Sequence, residues 1–338
     1  MTALGIPFQP VVPLRGVIVS KMAGQEENPK AILPKVRRMI FENRPCPVCG
    51  STDDSLVFAE SKFDREKLNS YSFASRKVPE LMHYRLVSCR RCSLLYASPA
   101  PISEDLKSVY NEASYDSSAE SSAASHTYIK HLKTVLPKLP DLVGTLDIGT
   151  GDGAFLERLL EAGFTGVVGI EPSKAPIKAA RSEVRGLIQH GIFTAENYQP
   201  QSFRLITCFQ TIEHLSDPGS ICSASFNLLK RPGVFFVVAH NYRALSAKIM
   251  GLKSPIFDIE HLQLFSPESM LYLLKQAGFK NITVYPIANT YPLQYWVKIL
   301  PLPMGLKKII ISFINTAGLA GVRLPLRAGN LAAIGYKE

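Results

Sequence analysis

From about residue 141 onward, short apolar runs alternate with stretches whose apolar positions recur at helical spacing. Gly144, Leu146 and Ile148 lead into Gly149-Thr-Gly-Asp-Gly153, after which Phe155, Leu156, Leu159 and Leu160 share one helical face. Gly163 stands where a left-handed residue would end that helix. The pattern predicts strand, glycine turn, helix. A second apolar run, Gly166–Ile170, ends at Glu171-Pro172-Ser173. Further strands are expected at Leu205–Phe209 and Val234–Ala239, and an amphipathic helix is expected to close at Ala277-Gly278-Phe279. A last strand at Gly329–Tyr336 is predicted to insert antiparallel beside Ile282–Val284. Strands alternating with helices predict an α/β fold, a Rossmann-like doubly wound sheet with its ligand crevice at the carboxyl ends of the strands.

The first third of the chain has a different grammar. Cys46-Pro-Val-Cys49 and Cys89-Arg-Arg-Cys92 form two C-x2-C knuckles, 39 residues apart. Each knuckle turns two thiolates toward one ion, so together they make a tetrahedral four-sulfur site suited to structural zinc. Alternation in Tyr84–Cys89 and the apolar Leu94-Leu95-Tyr96 predict small hairpins around it, with an insert within Ser61–Pro79. The expected organisation is a loose tail over 1–40, a zinc ribbon over 41–100, lid and linker helices over 101–140, and the Rossmann-like core over 141–338. Met22 is a candidate alternative start. Cys208 and Cys222 are expected to pack in the core.

The glycine turn admits two ligands. Gly149-x-Gly151-x-x-Ala154 satisfies the dinucleotide fingerprint, with Glu171 downstream to hold a ribose. Asp147 at the strand tip and Asp152 in the turn decide between them. Two carboxylates repel a pyrophosphate but suit S-adenosylmethionine (SAM), whose ammonium and sulfonium are both cationic. A carboxylate at the position of Glu171 can accept both ribose hydroxyls.

On these residues, from about Leu94 to the C-terminus, the chain resembles the class I SAM-dependent methyltransferases. The resemblance implies a seven-stranded sheet and a cofactor site built from Asp147, Gly149, Thr150, Gly151, Gly153, Glu171, Pro172 and Gln210. It further implies adenine contacts from Gly191 and Ile192, and a lid carrying Tyr115 ahead of a small polar stretch, Ser117–Ser125, expected to be mobile. The ribbon with Leu95-Tyr-Ala-Ser-Pro-Ala-Pro101 is similar to sugar and polysaccharide-pathway methyltransferases, and four-ligand zinc sites also occur in ribosomal-RNA guanine methyltransferases. Glu213-His214 resembles the ubiquinone-pathway O-methyltransferases, where a further glutamate joins the pair on a divalent ion; Gln210 stands at that place here, and the lost charge weakens a hard-cation site.

Catalytic candidates cluster at the strand tips. His214, after the fourth strand, has an imidazole able to accept a hydroxyl proton near neutral pH. His240, at the tip of the fifth strand, and His261, in Asp258–Ser266, are alternative bases, with Glu213 beside them; taken alone each reads first as a structural residue, and their convergence on one rim favours a proton-accepting role for at least one histidine.

Charge narrows the acceptor little. The chain carries a net +10, with fifteen Lys and Arg against nine Asp and Glu through Cys92, and six against one from Trp296 onward. Basic ends around a near-neutral core fit a sugar nucleotide, RNA, or an anionic membrane surface. Leu300–Ile314 combines helical spacing, strong apolarity and Lys307-Lys308, the character of a helix on a lipid surface, on the sheet, or in a dimer contact. No apolar run is long enough to span a bilayer and no leader pattern is present, so a cytoplasmic, optionally membrane-peripheral enzyme is expected. The reading is a methyltransferase for a small-molecule acceptor, a sugar or sugar nucleotide first, with RNA or a lipid or quinone as alternatives. A SAM-binding protein without catalysis is the non-enzymatic alternative.

Overall fold

The computed structural model describes residues 39–74 and 79–338. The expected loose tail up to residue 38 and the alternative start fall on residues outside that range, as does part of the ribbon insert, while Met39, at the end of that tail, is buried. The strands are β1 (Phe41–Glu42), β2 (Ser55–Ala59), β3 (Leu86–Cys89), β4 (Leu95–Ala97), β5 (Ala100–Pro101), β6 (Val143–Ile148), β7 (Thr165–Glu171), β8 (Ile188–His190), β9 (Phe203–Phe209), β10 (Leu229–His240), β11 (Gln263–Leu264), β12 (Lys280–Pro292) and β13 (Arg323–Lys337). The helices are α1 (Ser103–Asn111), α2 (Ser118–Leu132), α3 (Ala154–Glu161), α4 (Lys174–Ala179), α5 (Ser182–Arg185), α6 (Pro218–Leu228), α7 (Leu245–Met250), α8 (Pro267–Gln276), α9 (Leu293–Ile299) and α10 (Met304–Thr316).

Seven strands form the main sheet in the order β12-β13-β10-β9-β6-β7-β8. β6 to β10 run parallel, and β13 lies antiparallel between β10 and β12, with Thr283 opposite Ile334 and Val284 opposite Ala333. The expected antiparallel insertion is therefore observed. The chain winds outward in opposite directions from β6 and β9, so the crevice between their carboxyl ends is open to a ligand.

Burial on both faces explains the continuous apolar runs. All seven residues of β9 are buried. Leu205 and Phe209 face Tyr128 and Leu132 of α2 and Phe155 and Leu156 of α3. Ile206 and Cys208 turn to the other face, toward Cys222 of α6 and Met270 and Leu273 of α8. Cys208 and Cys222 are thus packing residues, as expected. Arg204 is also structural: it donates to both carboxylate oxygens of Asp141, at 3.3 and 2.6 Å, and to the Pro232 carbonyl.

One expectation needs correction. Ser117–Ser125 is not a loose lid, because Ser118 onward is helix α2. Its small residues Ala123, Ala124 and Ser125 are buried, which lets the helix lie close beside α3, and Ser121 Oγ donates to Asp152 Oδ1 at 2.8 Å. The ribbon region shares its sheet with a later segment of the chain. Its sheet has the order β11-β4-β3-β2, so one strand comes from the segment after β10. Gln263 pairs with Tyr96 and Leu264 with Leu95. Arg44 fastens the same junction, donating to Ala97 O (2.9 Å), Leu262 O (2.8 Å), Gln263 Oε1 (3.0 Å) and Ser216 O (3.2 Å).

Candidate active site

A cavity opens at the carboxyl ends of β6, β7 and β9, and its two halves differ in chemistry. Asp147, Gly149, Thr150, Gly151, Glu171 and Pro172 line one half, with Gly191, Ile192 and Phe193 at its far end. Gly149 has φ +75° and a Cβ there would lie 2.2 Å from Thr211 Oγ1, so only glycine permits the turn to pass so close to the β9 loop. Gly151, at φ +59°, faces open space.

Two buried acids shape this half. Glu171 accepts from the Gly151 amide through Oε2 and from the Ser173 amide through Oε1, each at 2.9 Å. Burial raises its pKa above the usual carboxylate value, and the two amides pull part of that back. Asp147 Oδ1 accepts from the Thr207 hydroxyl at 2.6 Å. The expected cofactor residues Asp147, Gly149, Thr150, Gly151, Glu171, Pro172, Gly191, Ile192, Gln210 and Tyr115 all line the cavity. Gly153 does not; it starts α3 at φ +74° and faces Val184 and Ile188. Gln210 holds a left-handed φ of +51° at the tip of β9, and its buried Nε2 has no hydrogen-bond partner among the described residues. An unsatisfied donor in a strained residue at a cavity wall is what a ligand acceptor would relieve.

The rest of the lining joins Phe73, Leu106, Tyr110, Leu215 and Ile221 to the polar groups of Ser103, Lys107, Ser114, Thr211, His214, Ser216 and Glu260. His214 Nδ1 lies 2.9 Å from the Glu260 carbonyl, and the Tyr110 hydroxyl donates to the same carbonyl at 3.0 Å. The Tyr110 hydroxyl also lies 3.2 Å from Nδ1; with Nδ1–H donating to the carbonyl, Nε2 carries the lone pair. The four catalytic candidates therefore separate. His214 lines the cavity, whereas Glu213, His240 and His261 do not, and Glu213 is wholly buried. The His261 ring packs behind His214, centroids 5.0 Å apart, and His240 behind His261 at 4.7 Å. Burial raises the Glu213 carboxyl to about 7.

Sequence reasoning missed Phe73 and Ala74, which come from the ribbon insert yet line the cavity. Phe73 stands edge-on to Tyr110, ring centroids 5.8 Å apart. Nothing local marks these residues, since they reach the cavity only because the ribbon folds against it.

The four ribbon cysteines converge. Cys46 and Cys92 sulfurs are 3.4 Å apart, Cys49 and Cys89 sulfurs 3.5 Å, and all four lie within 4.8 Å of one another. Sulfurs about 2.3 Å from a tetrahedral ion sit roughly 3.8 Å apart, so the donor set fits zinc in both number and spacing. Hydrogen bonding with Cys92 lowers Cys46 to about 5, while the same hydrogen bond raises Cys92 and burial raises Cys49 to about 11.

Comparisons with known proteins agree with this arrangement. Residues 121–284 match a family model described as a methyltransferase domain. Among curated proteins, the chain is 28% identical over 182 residues to a ubiquinone biosynthesis O-methyltransferase of Vibrio atlanticus, covering 48% of this chain and 76% of that protein. A ubiquinone biosynthesis O-methyltransferase of Thiobacillus denitrificans is 27% identical over 167 residues, covering 44% and 72%. Among solved structures, a SAM-dependent methyltransferase from Archaeoglobus fulgidus aligns with 17% identity and a TM-score of 0.43, over 63% of this chain and 94% of that one. These relatives lend no support to the sugar-pathway resemblance. With its glycine turn, acids and sheet order, the segment 121–284 is similar to a methyltransferase domain, and the seven-stranded sheet has a Rossmann-like order.

Proposed function

We propose that this protein is a SAM-dependent O-methyltransferase whose acceptor is a hydroxyl on an apolar, lipid-borne ring of the quinone-precursor kind. The observation that carries the reading is the acceptor half of the cavity, where Phe73, Leu106, Tyr110, Leu215 and Ile221 surround the His214 imidazole, whose Nε2 is the proton acceptor when Nδ1–H donates to the Glu260 carbonyl. The ubiquinone-pathway relatives favour the same acceptor class. SAM supplies an electrophilic methyl on a sulfonium. Asp147 faces its positive charges, Glu171 holds the ribose, and Gly191 and Ile192 border the adenine. Tyr115 and α2 cover the methionine end. His214 takes the hydroxyl proton as the acceptor oxygen bonds to the methyl and the carbon–sulfur bond breaks, leaving S-adenosylhomocysteine and a protonated imidazole. Most of the rate comes from alignment of the two substrates. Glu213, His240 and His261 support the wall behind His214. The cysteine cluster holds a structural zinc, because four thiolates leave no open position.

His214→Ala is expected to lower kcat by roughly 100-fold, the usual weight of one general base, with the dissociation constant for SAM unchanged. Wild-type turnover in this variant would remove His214 as the base. The reading as a whole is tested by transfer of isotope-labelled methyl from SAM into host extract, followed by solvent partition and ribonuclease treatment. Label in the lipid phase supports a quinone-type acceptor. Label in water-soluble sugars, or label lost to ribonuclease, moves the acceptor to one of those classes.

The C-terminal helix fits an acceptor presented in a membrane. In α10 only Ile314 is buried, while Met304, Leu306, Ile309 and Phe313 are exposed, Phe313 to 69%. It does not pack on the sheet. No helix among the described residues is long and apolar enough to cross a bilayer, so this apolar face beside Lys307 and Lys308 is suited to lie along a membrane surface. Ile309→Glu with Phe313→Glu is expected to abolish co-sedimentation with vesicles containing anionic lipid, since each buried side chain contributes about 2 kcal/mol. Equal sedimentation of variant and wild type would refute the membrane role.

A further inference from the structure

Behind the acceptor wall, Glu213, His240 and His261 bring three ligand atoms within 4.8 Å of one another. They come from separate parts of the chain: the loop after β9, the end of β10 and the segment joining α7 to β11. His240 Nε2 lies 3.9 Å from Glu213 Oε1. The far nitrogen of each ring is already committed. His240 Nδ1 is 2.8 Å from Asn330 Oδ1, and His261 Nδ1 is 2.8 Å from the Ile256 carbonyl. Donation from both Nδ1–H groups to oxygen makes Nε2 the ligand-bearing nitrogen in each ring, the arrangement that outer partners impose on metal-binding histidines. Glu213 is wholly buried, and its Oε2 has no hydrogen-bond partner among the described residues. A buried carboxylate oxygen left unpaired is costly, and a cation is the direct remedy.

We propose that Glu213, His240 and His261 form a second metal site, separate from the cysteine cluster, for a divalent first-row transition ion, with zinc as the simplest occupant. Two imidazoles and one carboxylate suit such an ion rather than magnesium, which prefers an all-oxygen shell. None of the three residues lines the cavity; His214, against which the His261 ring packs, does, as does Glu260, whose Oε1 lies 3.6 Å from His261 Nε2. The ion therefore acts as a clamp. It ties together three segments that form or back the acceptor wall, joining the backbone link in which the Leu262 and Gln263 amides donate to the Glu213 carbonyl. This site differs from the hard-cation arrangement suggested by the sequence around Gln210, because the Glu213 carboxylate turns away from the cavity. The inference does not depend on the identity of the acceptor.

The test is metal content and spectrum of the full-length protein. After purification over a chelating resin and exposure to excess zinc, the wild type is expected to hold about two zinc ions per chain, and His240→Gln with His261→Gln about one. Asn330→Leu, which removes the oxygen that orients His240 without touching a ligand, is expected to weaken the second ion by roughly 10–100-fold. Cobalt added to protein already carrying one zinc should give weak visible bands without a thiolate charge-transfer band. A wild type that holds one ion, retained in full by the histidine variant, would overturn the proposal. So would a second cobalt whose spectrum shows sulfur ligation. If the histidine variant loses its native circular dichroism, the Asn330→Leu affinity and the cobalt spectrum decide the matter.

Discussion

Glu171→Gln is expected to weaken SAM binding by about 100-fold, and Glu171→Ala by at least as much. The carboxylate has two tasks at the tip of β7. It accepts from the amides of Gly151 and Ser173, and in the proposed complex its remaining lone pairs would accept from the ribose. Glutamine keeps the shape but carries one oxygen, so its amide nitrogen must face either a backbone N–H or a ribose hydroxyl. Hydrogen bonds to a charged group contribute about 1.5–3 kcal/mol each, and losing the equivalent of one or two amounts to about 3 kcal/mol, or two orders of magnitude in affinity. Alanine adds a structural loss, since the Gly151 amide, and with it the glycine turn, loses its anchor. Asp147→Ala acts by another route: it removes negative charge facing the cofactor and leaves the Thr207 hydroxyl without its acceptor. Calorimetric titration with SAM and S-adenosylhomocysteine measures both effects, and bound metal should remain as in the wild type. Unchanged affinity in both the Glu171 and Asp147 variants would sink the cofactor assignment.

Removal of the ribbon zinc is expected to unfold more than the ribbon. Cys46→Ser, or prolonged treatment with a strong chelator, should release the ion and lower the melting temperature by more than about 10 °C. Binding of structural zinc by four cysteines is coupled to folding and worth about 10–16 kcal/mol in isolated fingers. If only about 5 kcal/mol of that reaches the whole protein, the shift is roughly 10–20 °C at about 2–4 °C per kcal/mol. The structure says why the effect spreads. β4 pairs with β11, Arg44 bridges Ala97 to Leu262 and Ser216, and Phe73 lines the acceptor half of the cavity. Methyl transfer should therefore fall together with metal content, even though no cysteine touches either substrate. A protein stripped of ribbon metal that melts and turns over as before would show the ribbon to be an independent module.

Much of the glycine-turn half of the cavity was legible from the chain. Gly149, Gly151, Asp147 and Glu171 lie within one strand–turn–helix–strand unit, and each does its work through backbone conformation or through position at a strand tip. Such roles are local, and local roles leave a local pattern. The acceptor half was much less legible. Sequence placed His214, His240 and His261 on one rim and offered all three as bases. Folding puts only His214 on the cavity wall and turns the other two toward Glu213. A strand-tip position identifies a loop, but the direction of a side chain within it depends on what packs behind. Ser117–Ser125 misled for a related reason. Its serines and alanines look like a mobile linker, yet small side chains are what allow α2 to lie close to α3.

Sequence alone determined the alternating sheet, the antiparallel last strand, the acid-flanked glycine turn and the four-cysteine donor set, because each rests on periodicity or on spacing along a few residues. Tertiary structure alone decided that the ribbon shares its sheet with residues 263–264, that Phe73 walls the cavity, and that Glu213 meets two histidines away from it. Those contacts join residues far apart in the chain. Their geometry is set by how separate cores pack against one another, which no local pattern encodes.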